Sequence, residues 1–444
     1  MNNSNLSSYL RSFVVGTETK IPLKNGKYVT AINFDNAATT PPLYSVMAEI
    51  NNFAPWYSSI HRGKGYKSVL SSNLYDHGRE VIRDFVNAHS TKDVVIYTKN
   101  CTESINMLSY TLCHEDKESV ILSTYMEHLA NDLPWRDKFK VDYVDIDKFG
   151  RLSMDDLEKK LLKYKGKVKL VTVIGASNVT GYINPVYKIA KLVHKYGTKI
   201  LVDGAQLVPH APFDMMEYDS PEHIDYLSFS AHKMYAPFGT GVLIGPKKTF
   251  EKVPPVYKGG GDVRLASHEF IEWNEPPSKD EAGTPNIMGV AALMTAIKTL
   301  SLIGMETIHK YEDNLITYAI ERLRNIPDIK LYCYDKKDEE RVSLISFNIE
   351  GIHHDLVAKI LSYEAGIAVR NGLFCAHPYV EKLLDLTNKD LEYYHHNHDV
   401  PLPGMVRISF GMYNNYLEID KLIKILNRIV KNKGYYIEKY KDVL

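Results

Sequence analysis

The sequence predicts an α/β protein: a large domain built on a mainly parallel sheet, followed by a smaller α+β domain. Three observations predict it. Short apolar runs recur at Val94–Tyr97, Val120–Leu122, Lys169–Ile174, Lys199–Val202 and Tyr226–Phe229. They are nearly continuous in apolar residues, as strands buried on both faces are. Between them lie helical patterns, such as Thr102–Leu112, Met154–Tyr164 and Pro185–Tyr196, and that alternation indicates βαβ units around a parallel sheet.

Taken in order, residues 1–30 carry no strong periodicity and read as an arm. The alternating pattern runs from about residue 90 to 245. Two irregular loops follow, Gly259-Gly260-Gly261-Asp262 and Asn274–Pro285. Loops of this kind inside a compact protein are usually functional. Residues 286–325 read as two helices broken near Gly304. The remainder reads β-β-α-β-α-β-α, with strands at Val342–Phe347, Ile367–Val369 and Met405–Ser409. The expected division is an arm at 1–32, a large domain at 33–300, and a small domain at 301–444 packed with the arm.

Composition narrows the function. The 444 residues carry 54 Lys+Arg and 54 Asp+Glu, so no net charge points to nucleic acid or an anionic membrane. Hydrophobic residues make up 44%, enough to bury a large core, which excludes disorder as the main state. Cys101, Cys113, Cys333 and Cys375 are irregularly spaced. That is too sparse for a disulfide framework and wrong for zinc, and suits a reducing compartment. No apolar stretch reads as a signal peptide or a membrane span, so the expected location is cytoplasmic.

Chemistry concentrates in three segments. Ser228–Gly241 ends an apolar strand in Ser230-Ala231-His232-Lys233 and continues into a Gly-containing turn. A lysine there can join an aldehyde cofactor, because desolvation favours the neutral amine; an ordinary surface lysine at a strand end is the alternative. Lys199–Gln206 puts Asp203 directly after a β-run, where open α/β sheets bind ligands. A carboxylate there can keep a pyridine nitrogen protonated, or merely cap the next turn. Thr98–Asn106 joins a strand to a helix whose first N–H groups can bind phosphate, with a simple capping motif as the alternative.

Together with Met126-Glu127-His128, Ser177-Asn178-Val179-Thr180-Gly181 and Asn33-Phe34-Asp35-Asn36-Ala37-Ala38, these segments resemble a family. So do His61-Arg62-Gly63, Glu281–Asn286 and Ala368–Pro378. Over residues 33–431 the chain is similar to fold-type I pyridoxal-phosphate enzymes of the class V aminotransferase superfamily. Within it, the chain resembles the Suf-type (group II) cysteine desulfurases and selenocysteine lyases. The resemblance implies pyridoxal 5'-phosphate, with Lys233 carrying it covalently and later moving the α-proton. Asp203 would pair with the ring nitrogen, Gln206 would bond the ring hydroxyl, and His128 would stack on the ring. Cys101, Thr102, Ser230 and His232 would hold the phosphate, joined by Thr284 from the partner subunit of a homodimer. Arg407 would clamp the substrate carboxylate, with Asn178 and Arg370 nearby.

Cys375 decides the reaction, since a desulfurase needs a thiolate to attack the substrate sulfur. The implied substrate is L-cysteine or a related sulfur or selenium amino acid, and a sulfur-acceptor protein is the implied partner. The alternatives are a carbon–sulfur or carbon–selenium lyase, or an aminotransferase or epimerase, none needing a persulfide. Three departures stand out. Leu373 and Phe374 precede Cys375 where the family often has histidines, and set an apolar flank against thiolate formation. Cys101 stands where a Thr is common, and the connection from Gly261 to Glu281 is rich in charge and aromatics. His395-His396-Asn397-His398-Asp399 fits no helix-based metal site and is expected to be a solvated or rim loop.

Overall fold

A computed structural model describes residues 3–115, 118–334 and 340–441. Its centre is a seven-stranded sheet. The strands are β1 (Asp93–Thr98), β2 (Val120–Thr124), β3 (Lys140–Val144), β4 (Val168–Ile174), β5 (Lys199–Asp203), β6 (Tyr226–Ser230) and β7 (Gly241–Pro246). Their spatial order is β1-β7-β6-β5-β4-β2-β3. Only β7 runs antiparallel to its neighbours, β1 and β6. Every residue of β2, β6 and β7 is buried, which explains their largely apolar sequence: both faces are covered.

Helices α1 (Cys101–Glu115), α2 (Met154–Lys163) and α3 (Val186–Lys195) connect these strands. Helices α4 (Ile287–Ile303) and α5 (Met305–Leu323) meet at Gly304 with a 77° bend. Gly304 has φ +93°, a conformation that costs glycine little. No single helix among the described residues is long and apolar enough to cross a membrane.

The second sheet has four antiparallel strands, β8 (Ile329–Leu331), β9 (Leu344–Ile349), β10 (Arg370–Gly372) and β11 (Met405–Ser409), in the order β8-β9-β11-β10. The expected single strand at Ile367–Val369 is split. Ile367–Ala368 pairs in parallel with Ile32–Asn33, and only from Arg370 does the chain join β11.

The N-terminal segment is more ordered than its sequence suggests. It forms a helix, Asn3–Arg11, and a hairpin, Lys20–Pro22 with Tyr28–Thr30. What holds it is tertiary: Leu10 and Val14 are fully buried, and Arg11 pairs with Glu418 at 2.9 Å. A short hairpin, Val263–Ala266 with Ile271–Trp273, forms between the two expected loops. His395 and His396 lie in the exposed last turn of the helix Asn388–His396, not in a loop.

Candidate active site

The carboxyl ends of β5 and β6, the N-terminus of α1 and one side of the second sheet enclose a cavity of about 230 Å³. Cys101, Thr102, His128, Asn178, Asp203, Gln206, Ser230, His232, Lys233, Arg370, Cys375 and Arg407 all line it. The sequence had placed these residues in seven separate stretches. Thr284 does not line it. It is exposed, in a different hollow beside Gly259, Gly260 and Asn286.

Lys233 ends a tight turn, Ala231–Lys233, directly after β6. Two threonines of the N-terminal segment fasten that turn: the Thr39 and Thr40 hydroxyls donate to the His232 carbonyl at 3.0 and 3.2 Å. Burial draws the Lys233 ammonium pKa below its ordinary value, against the opposing pull of Asp203. The amine is therefore easier to deprotonate than a surface lysine.

Asp203 is the last residue of β5 and is 2% exposed. Its Oδ1 accepts from the Ala205 N–H at 3.0 Å and from the Cys101 thiol at 3.3 Å. Gln206 donates to the Ala37 carbonyl at 2.7 Å, while its Oε1 is buried with no partner among the described residues. A buried amide oxygen left this way is costly, so the site is built for a donor that the protein does not supply.

At the end of α1, Asn100 caps the helix, its Oδ1 accepting from the Glu103 N–H at 3.0 Å, while Glu103 accepts from the Lys99 N–H at 2.5 Å. The cap is Asn100, not Thr102. Gly241 passes so close that a Cβ there would lie 2.5 Å from the Asn100 backbone. That approach brings β7, and the turn carrying Lys233, against the helix start. The Cys101 N–H donates to Ser230 Oγ at 2.8 Å, and its side chain points to Asp203.

His128 accepts from the Ala130 N–H through Nδ1 at 3.0 Å. Burial, followed by the charge of Lys233, pushes its pKa down to about 4. The ring is neutral at ordinary pH, with its proton on Nε2. Beneath it, Glu127 accepts from Thr124 Oγ1 at 2.6 Å, Asn131 Nδ2 at 2.6 Å and the Ile174 N–H at 2.9 Å. Burial raises the Glu127 pKa to about 8. This network fixes the turn that carries His128.

Arg407 is 3% exposed. Its Nη1 donates to the Asn178 carbonyl at 2.8 Å and its Nη2 to Asp35 Oδ1 at 3.2 Å. Burial lowers its pKa to about 10, so it stays charged at neutral pH. Arg370 stands directly opposite it in the β10–β11 ladder. Like charges in that position repel. Asp35 sits between them, with Oδ2 3.7 Å from Arg370.

Cys375 is exposed. It and Phe374 occupy the left-handed region, φ +52° and +51°. Two bonds pin that turn: Asn178 donates to the Phe374 carbonyl at 2.7 Å, and the Leu129 N–H to the Cys375 carbonyl at 2.7 Å. The apolar flank does not cover the thiol. Phe374 turns inward and stacks with the Arg407 guanidinium, 5.0 Å from its ring centre.

Asp35, Asn100 and Glu127 were not singled out from the sequence. Asp35 and Glu127 lay inside quoted motifs, and the Asn-x-x-Glu spacing could have identified Asn100.

Residues 32–422 match the class-V aminotransferase family. The chain belongs to that family. It is 36% identical over 413 residues to a Halalkalibacterium halodurans protein named "Probable cysteine desulfurase", covering 91% of this chain and 94% of that one. It is 32% identical to the cysteine desulfurase of Haloferax volcanii, covering 93% of each. Its fold is similar to the apo structure of a cysteine desulfurase from Thermococcus onnurineus, with a TM-score of 0.80 at 30% identity over 90% of this chain and 95% of that one.

Proposed function

We propose that this class-V protein is a pyridoxal-phosphate-dependent cysteine desulfurase, converting L-cysteine to L-alanine and taking the sulfur onto Cys375. The observation that carries the reading is Cys375 itself. It is exposed, held in a pinned left-handed turn, and lines the same cavity as Lys233 and Arg407.

The residues present fit the cofactor. Gln206 Oε1 is a buried acceptor awaiting a donor such as the ring hydroxyl. Asp203 offers a carboxylate beside the cavity for a ring nitrogen, and the α1 N-terminus with Thr102, Ser230 and His232 suits a phosphate. Bound there, pyridoxal phosphate supplies an aldehyde that joins amines and a ring that takes up an electron pair.

The chain's residues supply the rest. Lys233 holds the cofactor through Nζ, which desolvation keeps nucleophilic, and then moves the proton at the substrate α-carbon. With the cofactor bound, Asp203 would keep the ring nitrogen protonated, and neutral His128 would stand against the ring. Arg407 binds the substrate carboxylate as a planar guanidinium does, bidentately, and stays oriented by Asn178 and Asp35. Cys375, as thiolate, attacks the substrate sulfur. The carbon–sulfur bond breaks with its electron pair left on carbon, the carbon is protonated, and alanine leaves. The sulfur remains on Cys375 as a persulfide, ready for an acceptor protein.

The same reading makes the protein a cytoplasmic homodimer, with Thr284 of one subunit completing the phosphate site of the other. The test is product analysis with L-cysteine and no reductant. Alanine, together with one added sulfur atom on the peptide bearing Cys375, is expected. Pyruvate and free sulfide, or a keto acid without persulfide, would overturn it.

A further inference from the structure

Cys101 is the first residue of α1, and its side chain points at Asp203. It is buried, and its thiol lies 3.3 Å from Asp203 Oδ1. Behind it, Ser228 Oγ donates to Cys101 Sγ at 3.0 Å. Ser228 is fully buried and sits beside Asp203 in the β5–β6 ladder. A carboxylate can only accept, so the chain of donation runs from Ser228 to Cys101 to Asp203. Burial and the neighbouring carboxylate both hold Cys101 in the thiol form, which keeps its hydrogen in place for that contact. With the Ala205 N–H, the thiol occupies Oδ1. Oδ2 has no protein hydrogen bond among the described residues, and Asp203 lines the cavity.

We propose that Cys101 is a positioning residue: its S–H, backed by Ser228, fixes Asp203 Oδ1 so that Oδ2 is presented to the ring nitrogen of the cofactor. The inference rests on the reading of Asp203 as the partner of that nitrogen. The thiol hydrogen bond steadies the carboxylate at one oxygen and leaves the other free to face the cavity. Removing the donor leaves the carboxylate less fixed, and it attracts protons on neighbouring groups more strongly.

The test uses the protein loaded with pyridoxal phosphate and reads the pH dependence of its visible absorbance beside steady-state kinetics. In Cys101→Ala the visible band persists, the pH of its transition moves upward, and kcat falls about tenfold with KM changed by less than about twofold. Cys101→Ser, which keeps a donor, returns both readouts towards wild type. If Cys101→Ala does not accumulate, Cys101→Thr against Cys101→Val makes the same contrast at matched volume. A Cys101→Ala titration that coincides with wild type overturns the proposal, as does a serine variant no better than alanine, since the contact would then be packing alone. Asp203→Asn separates the two layers. If it leaves the spectral titration unmoved, the reading of Asp203 fails and the inference falls with it. If it moves the titration and Cys101→Ala does not, only the inference falls.

Discussion

The lysine end and the cysteine end of the cavity are built in different ways. Asp203 ends β5 and Lys233 lies one turn past β6, two adjacent parallel strands of one buried sheet, and that ladder, with the Thr39 and Thr40 bonds to the Lys233 turn, sets their positions. The cysteine end is gathered from four distant segments: Asp35 bonds Arg407 across 372 residues, and Asn178 bonds Phe374 across 196. A strand end in a packed sheet is rigid by virtue of its ladder. A site assembled from loops depends on each of its cross-links, and one lost bond loosens it.

Changes at the lysine end should therefore abolish chemistry while sparing the fold. The largest effect is expected for Lys233→Ala, which should lose both the visible band of the bound cofactor and all turnover. A coloured, active variant would remove Lys233 from its role. Next is Asp203→Asn. It should keep the fold and lower turnover by several orders of magnitude, because an uncharged pyridine takes up electrons poorly. Near-normal turnover would contradict that.

Changes to the arginine and carboxylate that hold the substrate at the cysteine end should act on binding and be smaller. Arg407→Lys keeps the charge but loses the bidentate geometry. A buried charge-assisted hydrogen bond contributes roughly 1.5–3 kcal/mol, so KM for L-cysteine should rise about 10- to 100-fold with the visible spectrum unchanged. Asp35→Asn keeps an acceptor for Arg407 but removes a carboxylate that competes with the substrate for the same guanidinium. KM should fall about two- to fivefold at low ionic strength, and the gain should shrink with added salt. A rise in KM at every salt concentration would show that the charge of Asp35 is needed to hold the two arginines.

The same contrast explains what the sequence could reveal. Asp203 and Lys233 stood out as polar residues at or just past the ends of apolar runs, each with an ordinary structural alternative until the neighbouring motifs were read together with them. Cys375, Arg407 and Asn178 were legible only through the motifs around them, since nothing in local periodicity brings residues so far apart together. Asp35 shows the limit. Its role lies in the register that sets Arg370 opposite Arg407, and register between strands joined by a long connection is not written in either strand alone. The N-terminal segment is a second case. Its helix and hairpin are held by contacts such as Arg11 with Glu418, so the segment without its partners carries too little pattern to be read.

The smallest expected effect concerns protons. Burial, with a smaller contribution from Lys233, holds both His128 and His232 at about 4, below the ordinary histidine value of roughly 6.5. Between those values the unfolded chain binds more protons than the folded one, so their contribution to stability is present above the upper value and is lost as pH falls through the window. Wild-type protein should lose more melting temperature between pH 6.5 and 5 than His128→Gln does. Equal losses would mean that His128 is not held neutral by the fold.

The most direct test of the account is made at Cys375. Cys375→Ser should still bind pyridoxal phosphate, with a visible spectrum like that of wild type, and L-cysteine should still perturb that spectrum. Alanine production should nearly stop, since a hydroxyl is a far weaker nucleophile toward sulfur than a thiolate, and no peptide should gain sulfur. A Cys375→Ser protein that releases sulfur from L-cysteine at the wild-type rate would contradict the account, leaving Lys233 and Asp203 at work in a lyase and Cys375 outside the reaction.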